Sequence, residues 1–329
     1  MKRINTILIP LLAAAALSSC SKQAAPDSNF PEDRVIRVQA SVLPSTKGSY
    51  TTGVLNEFAF YSLNFDAFQY QYSKKCSRSP YSFEGYTPSW GWEGDAPLWK
   101  NSSDIVGMIA IAPVHSDYQN LSFDTFNPTH LTGYTFQIQT EQSSSNSGSD
   151  LIGWFKEGRT SDLLNKDKKV DITFQHLLSR LNLTFVLATE FNAIDIPTSD
   201  IVSDVVIKDA SIEARVQLLP EGNLSAAVTS TSAKDDVRAY NTGWTPASSK
   251  EDRCRSQWEC ILVPETGTGI TISFNVNGKP YICILSGKDL EQGKAHNLTI
   301  NVGKDVATVG SMTIAGWVDS GSNSNLETE

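Results

Sequence analysis

The sequence predicts an all-β protein made of two β-sandwich domains in tandem. Residues that favour strands, such as Val, Ile, Thr, Tyr, Phe and Trp, are plentiful, and long runs of Ala, Leu, Glu and Lys are absent. Short segments alternate apolar and polar residues with a period of two, and turn residues separate these segments at regular spacing. The chain has 329 residues, which is long enough for two domains of ordinary size.

The first predicted strand begins at Val35, where Ile36, Val38 and Ala40 alternate with polar residues. Apolar runs predict further strands, and these cover residues 57–65, 105–112, 134–139, 170–187, 205–208, 211–218, 259–263, 269–276, 280–285, 296–302 and 310–318. The sequence Asn277-Gly278-Lys279 lies between two of these runs and predicts a tight hairpin turn.

A polar run at residues 165–169 divides the folded region into halves of similar size. We therefore predict an N-terminal sandwich over residues 35–168 and a C-terminal sandwich over residues 169–318, followed by a polar tail over 319–329. Residues 141–150 contain no core-forming residue and predict a flexible loop within the first domain.

The first twenty residues have the pattern of an export signal. Lys2 and Arg3 precede an apolar stretch from Ile7 to Leu17, which is too short to span about 30 Å of hydrocarbon. The segment ends in Leu17-Ser-Ser-Cys20, which resembles the lipobox of bacterial lipoproteins. We predict a signal peptide over residues 1–19, lipid on Cys20 and a polar tether over 20–34. The alternative is an ordinary secretory signal with an incidental cysteine.

Charge and motifs exclude several classes of function. The net charge is −9, and it becomes −11 once a signal peptide carrying two basic residues is removed. An acidic chain without basic runs is a poor partner for nucleic acid. The HExxH, GxSxG, GxGxxG and P-loop patterns are absent, and His176 is interpreted as a packed structural residue. We predict a non-enzymatic protein without a cofactor or a metal site.

Two groups of residues leave alternatives open. The mature chain has four cysteines, which fit either disulfides or small buried thiols; they are Cys76, Cys254, Cys260 and Cys283. An aromatic segment contains Trp90, Trp92 and Trp99. These rings are interpreted either as a stacking platform for a sugar or protein partner or as core residues of the first domain.

Several motifs occur in an order that resembles the fimbrillin-like family of Bacteroidales, the lipoprotein subunits of type V pili. They are Ser103-Asp-Ile-Val-Gly107, Gln142 with Asp150-Leu-Ile-Gly153, Phe174-Gln-His-Leu-Leu-Ser-Arg-Leu181, Cys260-Ile-Leu-Val-Pro264, Asn277-Gly-Lys279, Leu290-Glu-Gln-Gly-Lys294 and Ile314-Ala-Gly-Trp317. The resemblance implies transthyretin-like sandwiches and a position at the outer membrane or in the fimbrium.

The resemblance also implies assembly by strand exchange. A protease would cut after Arg34 or Arg37, and a C-terminal strand of the next subunit would fill the groove that this cut leaves. The candidate donor strand lies within residues 306–318, with four candidate pocket-filling side chains: Val309, Met312, Ile314 and Trp317. The alternative is that both arginines are solvent-facing and that the last strand is an ordinary one. Since Phe30 is the only large apolar residue in 21–33, an untrimmed anchor or accessory subunit also fits.

The first functional hypothesis is therefore a lipid-anchored fimbrial subunit or adhesin. Its expected partners are other fimbrial subunits, the outer membrane, and a glycan or protein on a host or bacterial surface. The alternative is a solitary glycan-binding lipoprotein at the cell surface, which would use Trp90, Trp92 and Trp99.

Overall fold

The computed structural model describes residues 29–43, 55–64, 69–79, 89–119, 122–123, 130–143, 147–219, 222–229, 232–267 and 269–317. Within these ranges the chain is all-β, which confirms the predicted fold class. It has three short 3-10 helices, at Ser147–Ser149, Thr160–Leu163 and Thr189–Asn192. None of the helices in the described ranges has the length and apolar character needed to cross a membrane.

The described part of the chain has twenty strands. They are β1 (Val38–Val42), β2 (Glu57–Asn64), β3 (Gln69–Arg78), β4 (Trp90–Trp92), β5 (Ile105–Ala112), β6 (Ser122–Phe123), β7 (His130–Gln137), β8 (Ile152–Arg159), β9 (Val170–His176), β10 (Ser179–Leu187), β11 (Val202–Ser211), β12 (Glu213–Leu218), β13 (Leu224–Ala227), β14 (Lys234–Arg238), β15 (Tyr240–Thr245), β16 (Arg255–Leu262), β17 (Ile270–Val276), β18 (Lys279–Leu285), β19 (Lys294–Val302) and β20 (Ala307–Gly316).

A seven-stranded sheet has the order β1-β9-β8-β5-β2-β3-β4. Its first and last strands approach each other, because Val35 forms a bridge with Leu98 and the Trp92 indole N–H donates to the Ile36 carbonyl at 2.7 Å. One face of the sheet carries a compact core that includes Phe58, Phe60, Trp99 and Phe174. The strong curvature that closes this core is the usual result of strand twist in a large sheet.

A four-stranded sheet with the order β13-β12-β7-β6 faces the seven-stranded sheet. Leu224 at the start of β13 lies against Gly153 of β8, where a methyl group on the glycine would come within 2.9 Å of Leu224 Cδ1 and 2.8 Å of Leu177 Cδ1. The Tyr134 hydroxyl on β7 donates to Pro113 O at 3.2 Å. Gly153 therefore lets the two layers approach closely.

The remaining strands form a second pair of sheets. A five-stranded sheet has the order β15-β16-β10-β19-β20, and a four-stranded sheet has the order β14-β11-β17-β18. Facing side chains alternate along β10 and β17, and the rings of Phe185 and Phe274 meet with their centroids 4.5 Å apart. Such interdigitation of inner faces is typical of a β-sandwich.

The hairpin turn predicted at Asn277-Gly278-Lys279 is confirmed. β17 and β18 pair up to Val276 and Lys279, and the two residues between them have positive φ values of 48° and 76°. This pair of positive φ values belongs to a type I′ turn, whose twist matches that of the flanking strands.

Strand pairing does not follow the predicted division between residues 168 and 169. β9 follows that point, yet it pairs with β1 and β8, and β12 pairs with β7. The polar run is a tight turn within the first sheet: Asn165 Oδ1 accepts from Asp167 N at 2.9 Å and from Lys169 N at 3.1 Å, and Leu164 forms a bridge with Val170. A polar composition suits a surface turn as well as a linker, and the two-domain division remains a prediction.

We expect Phe185→Ala to lower the free energy of unfolding by about 3–5 kcal/mol, because it removes a ring from the centre of the second sandwich. Ile282→Ala is the matched control, because Ile282 on β18 is 65% exposed and such surface changes usually stay within about 0.5 kcal/mol. Urea unfolding followed by tryptophan fluorescence measures both. Equal effects of the two variants would contradict the assignment of Phe185 to the core.

Candidate functional site

The segment that leads into β1 packs against the first core. Phe30 is half-buried, Pro31 is buried and Ile36 is 0% exposed. Its backbone pairs with residues 97–99, since Ile36 N donates to Pro97 O at 2.9 Å and Trp99 N donates to the carbonyl of residue 34 at 2.7 Å. Residues 34–36 therefore pair with residues 97–99 beside the first core. Cys20 and the predicted signal peptide lie outside the described residues.

Both candidate cleavage residues are exposed. Arg34 has a φ of 57°, an unusual value for a residue with a side chain, and its N–H donates to Pro31 O at 3.0 Å in a turn. Arg37 forms a two-point ion pair with Asp33, at 2.5 and 3.0 Å, and its hydrogen bonds hold the Asp33 pKa down at about 2. Cleavage of the chain after Arg34 or Arg37 remains a prediction.

The candidate donor strand lies at the outer edge of the five-stranded sheet. β20 pairs with β19 alone, and none of its ten residues is buried. Val309 and Met312 are half-buried against the core, whereas Ile314 is 49% exposed. The fourth candidate, Trp317, follows the strand and is only 3% exposed.

Trp317 lies on a histidine of the seven-stranded sheet. Its ring stacks on the His176 ring with the centroids 4.4 Å apart and the planes at 11°. His176 Nδ1 lies 3.0 Å from Asp150 Oδ1, and since a carboxylate can only accept, the ring donates through Nδ1. Both are almost fully buried, with exposures of 5% for His176 and 0% for Asp150. The interpretation of His176 as a packed, hydrogen-bonded residue agrees with this geometry.

The prediction of a loop without core residues at 141–150 is wrong at both ends. Gln142 and Asp150 are buried, and the Gln142 amide makes two hydrogen bonds of 2.8 Å with the backbone N and O of Ile261 on β16. The last residue of β16 that pairs with β15 is Glu259, so Ile261 lies beyond the β15–β16 ladder. The Gln142 amide supplies the two backbone hydrogen bonds that the ladder does not give to Ile261. Gln142 and Asp150 belong to one of the family motifs, which could have indicated that these two residues are buried. The polar composition of residues 141–150 led instead to the prediction of a loop.

A buried ion pair stabilises the outer face of the five-stranded sheet, and sequence reasoning missed it. Arg180 Nη2 donates to Glu259 Oε2 at 2.5 Å, and the Tyr240 hydroxyl donates to Glu259 Oε1 at 2.7 Å. Burial, together with the hydrogen bond to Glu259, raises the pKa of Tyr240. Removing one partner of such a pair leaves an uncompensated buried charge and is costly, which explains a structural use of Arg180 in its motif.

Of the three rings of the predicted aromatic platform, Trp99 is buried, whereas Trp90 and Trp92 on β4 are half-buried. Trp99 is 1% exposed, so it offers no ring face to a ligand. Trp90 packs on Phe58 with the ring centroids 5.0 Å apart, and Trp92 packs on Phe60 at 5.1 Å. The core alternative therefore describes these rings better, because a large aromatic surface is more stable packed on other rings than exposed to water.

The four cysteines in the described part of the chain are all buried and free; they are Cys76, Cys254, Cys260 and Cys283. Burial raises the pKa values of Cys76 and Cys260, which disfavours the reactive thiolate. The alternative of small buried thiols thus applies. Among the residues that the structure describes, no group of three or more His, Cys, Asp or Glu side chains is placed to hold a metal ion.

The fold and these contacts define the class of protein: a multi-sheet β-sandwich protein in which the first and last described strands, β1 and β20, are edge strands. The chain belongs to the fimbrillin-like family, whose profile matches residues 56–317. This confirms the resemblance drawn from the motifs. No curated protein is similar enough to count as a match.

Solved structures of Bacteroidales proteins share this fold. A candidate cell adhesion protein from Bacteroides uniformis is 17% identical with a TM-score of 0.56, and the match covers 88% of this chain and 100% of that one. A candidate cell adhesion protein from Bacteroides ovatus is 11% identical with a TM-score of 0.58, covering 88% and 99%. A fimbrial assembly protein from Parabacteroides distasonis is 9% identical with a TM-score of 0.52, covering 85% and 99%.

We expect none of the four buried thiols to react with Ellman's reagent in the native protein within minutes, because burial excludes the reagent. For Cys76 and Cys260, burial also raises the thiol pKa and so disfavours the reactive thiolate. All four should react in denaturant. The measurement uses the Cys20→Ser chain, so that Cys20 adds no signal. Fewer than four reactive thiols in denaturant without reductant would indicate a disulfide and contradict the structure.

Proposed function

We propose that this chain is a lipid-anchored subunit of a cell-surface fimbrium and that it joins neighbouring subunits by β-strand addition. Membership of the fimbrillin-like family supports a fimbrial role, and structures described as cell adhesion and fimbrial assembly proteins share the fold. The observation that carries the proposal is β20, an edge strand of ten residues without one buried side chain.

β20 has the properties of a donor strand. It is attached to its sheet through β19 alone, so its release breaks one ladder of hydrogen bonds rather than two. Met312 and Ile314 are two residues apart and so share one face of an extended strand. A strand of this kind gains backbone hydrogen bonds from an open sheet edge and specificity from the pockets for its side chains.

The leading segment has the properties of a removable cover. Loss of residues up to Arg37 would expose the backbone of residues 97–99 and the apolar surface beneath Phe30 and Ile36. It would also remove the carbonyl that accepts from the Trp92 indole N–H. An incoming strand can satisfy these groups, which favours a cut after Arg37 because a cut after Arg34 leaves Ile36 in place.

The lipid anchor rests on the N-terminal sequence. Leu17-Ser-Ser-Cys20 follows a short apolar stretch, and the thiol of Cys20 is the group that would carry the diacylglycerol. Several acyl chains on one cysteine make a durable attachment to the outer membrane, at about 0.8 kcal/mol for each buried CH₂ group.

For strand exchange, we expect protein sheared from cells to run as a ladder on an SDS gel without boiling and to collapse to one band on boiling. The double variant Arg34→Ala, Arg37→Ala should abolish the ladder, because the leading segment then stays paired with residues 97–99. N-terminal sequencing of the wild type should begin at Val35 or Val38.

Arg253→Ala is the matched control, since Arg253 is an exposed arginine remote in sequence from the leading segment, and it should leave the ladder intact. A wild-type chain that runs as one band and still carries its tether would contradict the polymer-forming role. That result would instead favour an untrimmed anchor subunit of the fimbrium.

For the lipid anchor, we expect Cys20→Ala to abolish incorporation of radiolabelled palmitate and to move the protein out of the membrane fraction. Cys76→Ala is the control, because this thiol is 0% exposed and inaccessible to an acyltransferase. Unchanged labelling of the Cys20→Ala variant would show that the lipid is attached to another residue.

A further inference from the structure

We propose that Trp317, His176 and Asp150 form a latch that retains β20 on its own subunit until the strand is donated. The three residues are separated widely along the chain, yet the rings of Trp317 and His176 stack at 4.4 Å and His176 contacts Asp150 at 3.0 Å. This proposal rests on the proposed function, since it concerns the release of the donor strand.

The side chains of β20 itself hold the strand weakly. Ala307, Val309 and Met312 are half-buried, and the other seven residues of the strand are exposed. A Trp side chain covers far more apolar surface than any of these, and Trp317 is only 3% exposed. The contact at the end of the strand is therefore the largest side-chain anchor in the segment from residue 307 to 317.

The latch joins two different sheets. β20 belongs to the five-stranded sheet, whereas His176 is the last residue of β9 in the seven-stranded sheet. The Trp317 N–H also donates to Gly293 O at 3.2 Å, in the segment before β19. Trp317 must leave both contacts before β20 can separate, so the latch acts on the strand as a whole.

Asp150 fixes the ring on which Trp317 lies. It is 0% exposed and accepts from His176 Nδ1, which sets the orientation of the imidazole plane. His176 Nε2 is buried and has no hydrogen-bond partner in the described structure. The hydrogen bond to Asp150 and the stack with Trp317 are thus the two contacts that orient the ring.

The test is hydrogen–deuterium exchange of the purified monomer, read on peptides from β20. Trp317→Ala and His176→Asn should each raise the exchange rate over residues 307–316 by about tenfold or more, as expected for local opening of one segment. Asn can keep the hydrogen bond to Asp150 but has no ring, so His176→Asn isolates the stacking contact. Trp317→Phe keeps a ring and should give an intermediate rate.

Ile314→Ala is the matched control, because it shortens a half-exposed side chain on the same strand and leaves the latch intact. Its exchange over 307–316 should equal that of the wild type. An unchanged exchange rate over 307–316 in both Trp317→Ala and His176→Asn would overturn the proposal. An equal rise of the exchange rate in β10 and β16 would also overturn it, since Trp317 would then be an ordinary core residue. If His176→Asn fails to fold, the two Trp317 variants decide.

Assembly gives a second readout that separates this proposal from the proposed function. His176→Asn leaves the donor sequence intact, so it should form the SDS-resistant ladder several times faster than the wild type. A rate no faster than that of the wild type would overturn the latch. Absence of a ladder from the wild type itself would instead refute assembly by strand exchange. The hydrogen–deuterium exchange measurement on the monomer would still decide whether the latch holds β20.

Discussion

The backbone groups at the edges of its four sheets are the constraint on which this structure depends. An edge strand presents N–H and C=O groups that need partners, and a partner strand from another chain is one solution. In this molecule the segment before β1 pairs with residues 97–99, beside the edge strands β1 and β4. At the end of β15 the molecule uses the amide of Gln142, which bonds the backbone of Ile261. β20 is another edge strand, and none of its residues is buried.

Four of the family motifs meet at one buried junction between the seven-stranded and the five-stranded sheets. Asp150 forms a hydrogen bond with His176, Gly293 N donates to Leu178 O, and Trp317 stacks on the His176 ring. Gly293 is required because a side chain there would come within 3.1 Å of the His176 carbonyl, and its φ is 65°. These four motifs thus describe contacts between distant segments of the chain.

Local patterns predicted much of the secondary structure. The alternation in β1, β10 and β17 and the turn at Asn277-Gly278 are each properties of a few consecutive residues, and they agree with the structure. β8 and β15 were not predicted, because glycines and charged residues interrupt their alternation. The strand order was beyond reach as well: β10 and β19 pair in parallel across more than a hundred residues, and no local pattern records that.

The sequence by itself determined the all-β class, the position of many strands and, through its motifs, the family. Tertiary structure alone decided that β9 and β12 join sheets with earlier strands, that Trp99 is buried, and that His176 lies between Asp150 and Trp317. The physical reason is range. Propensity and alternation act between neighbouring residues, whereas pairing and burial depend on segments that meet only when the chain has folded.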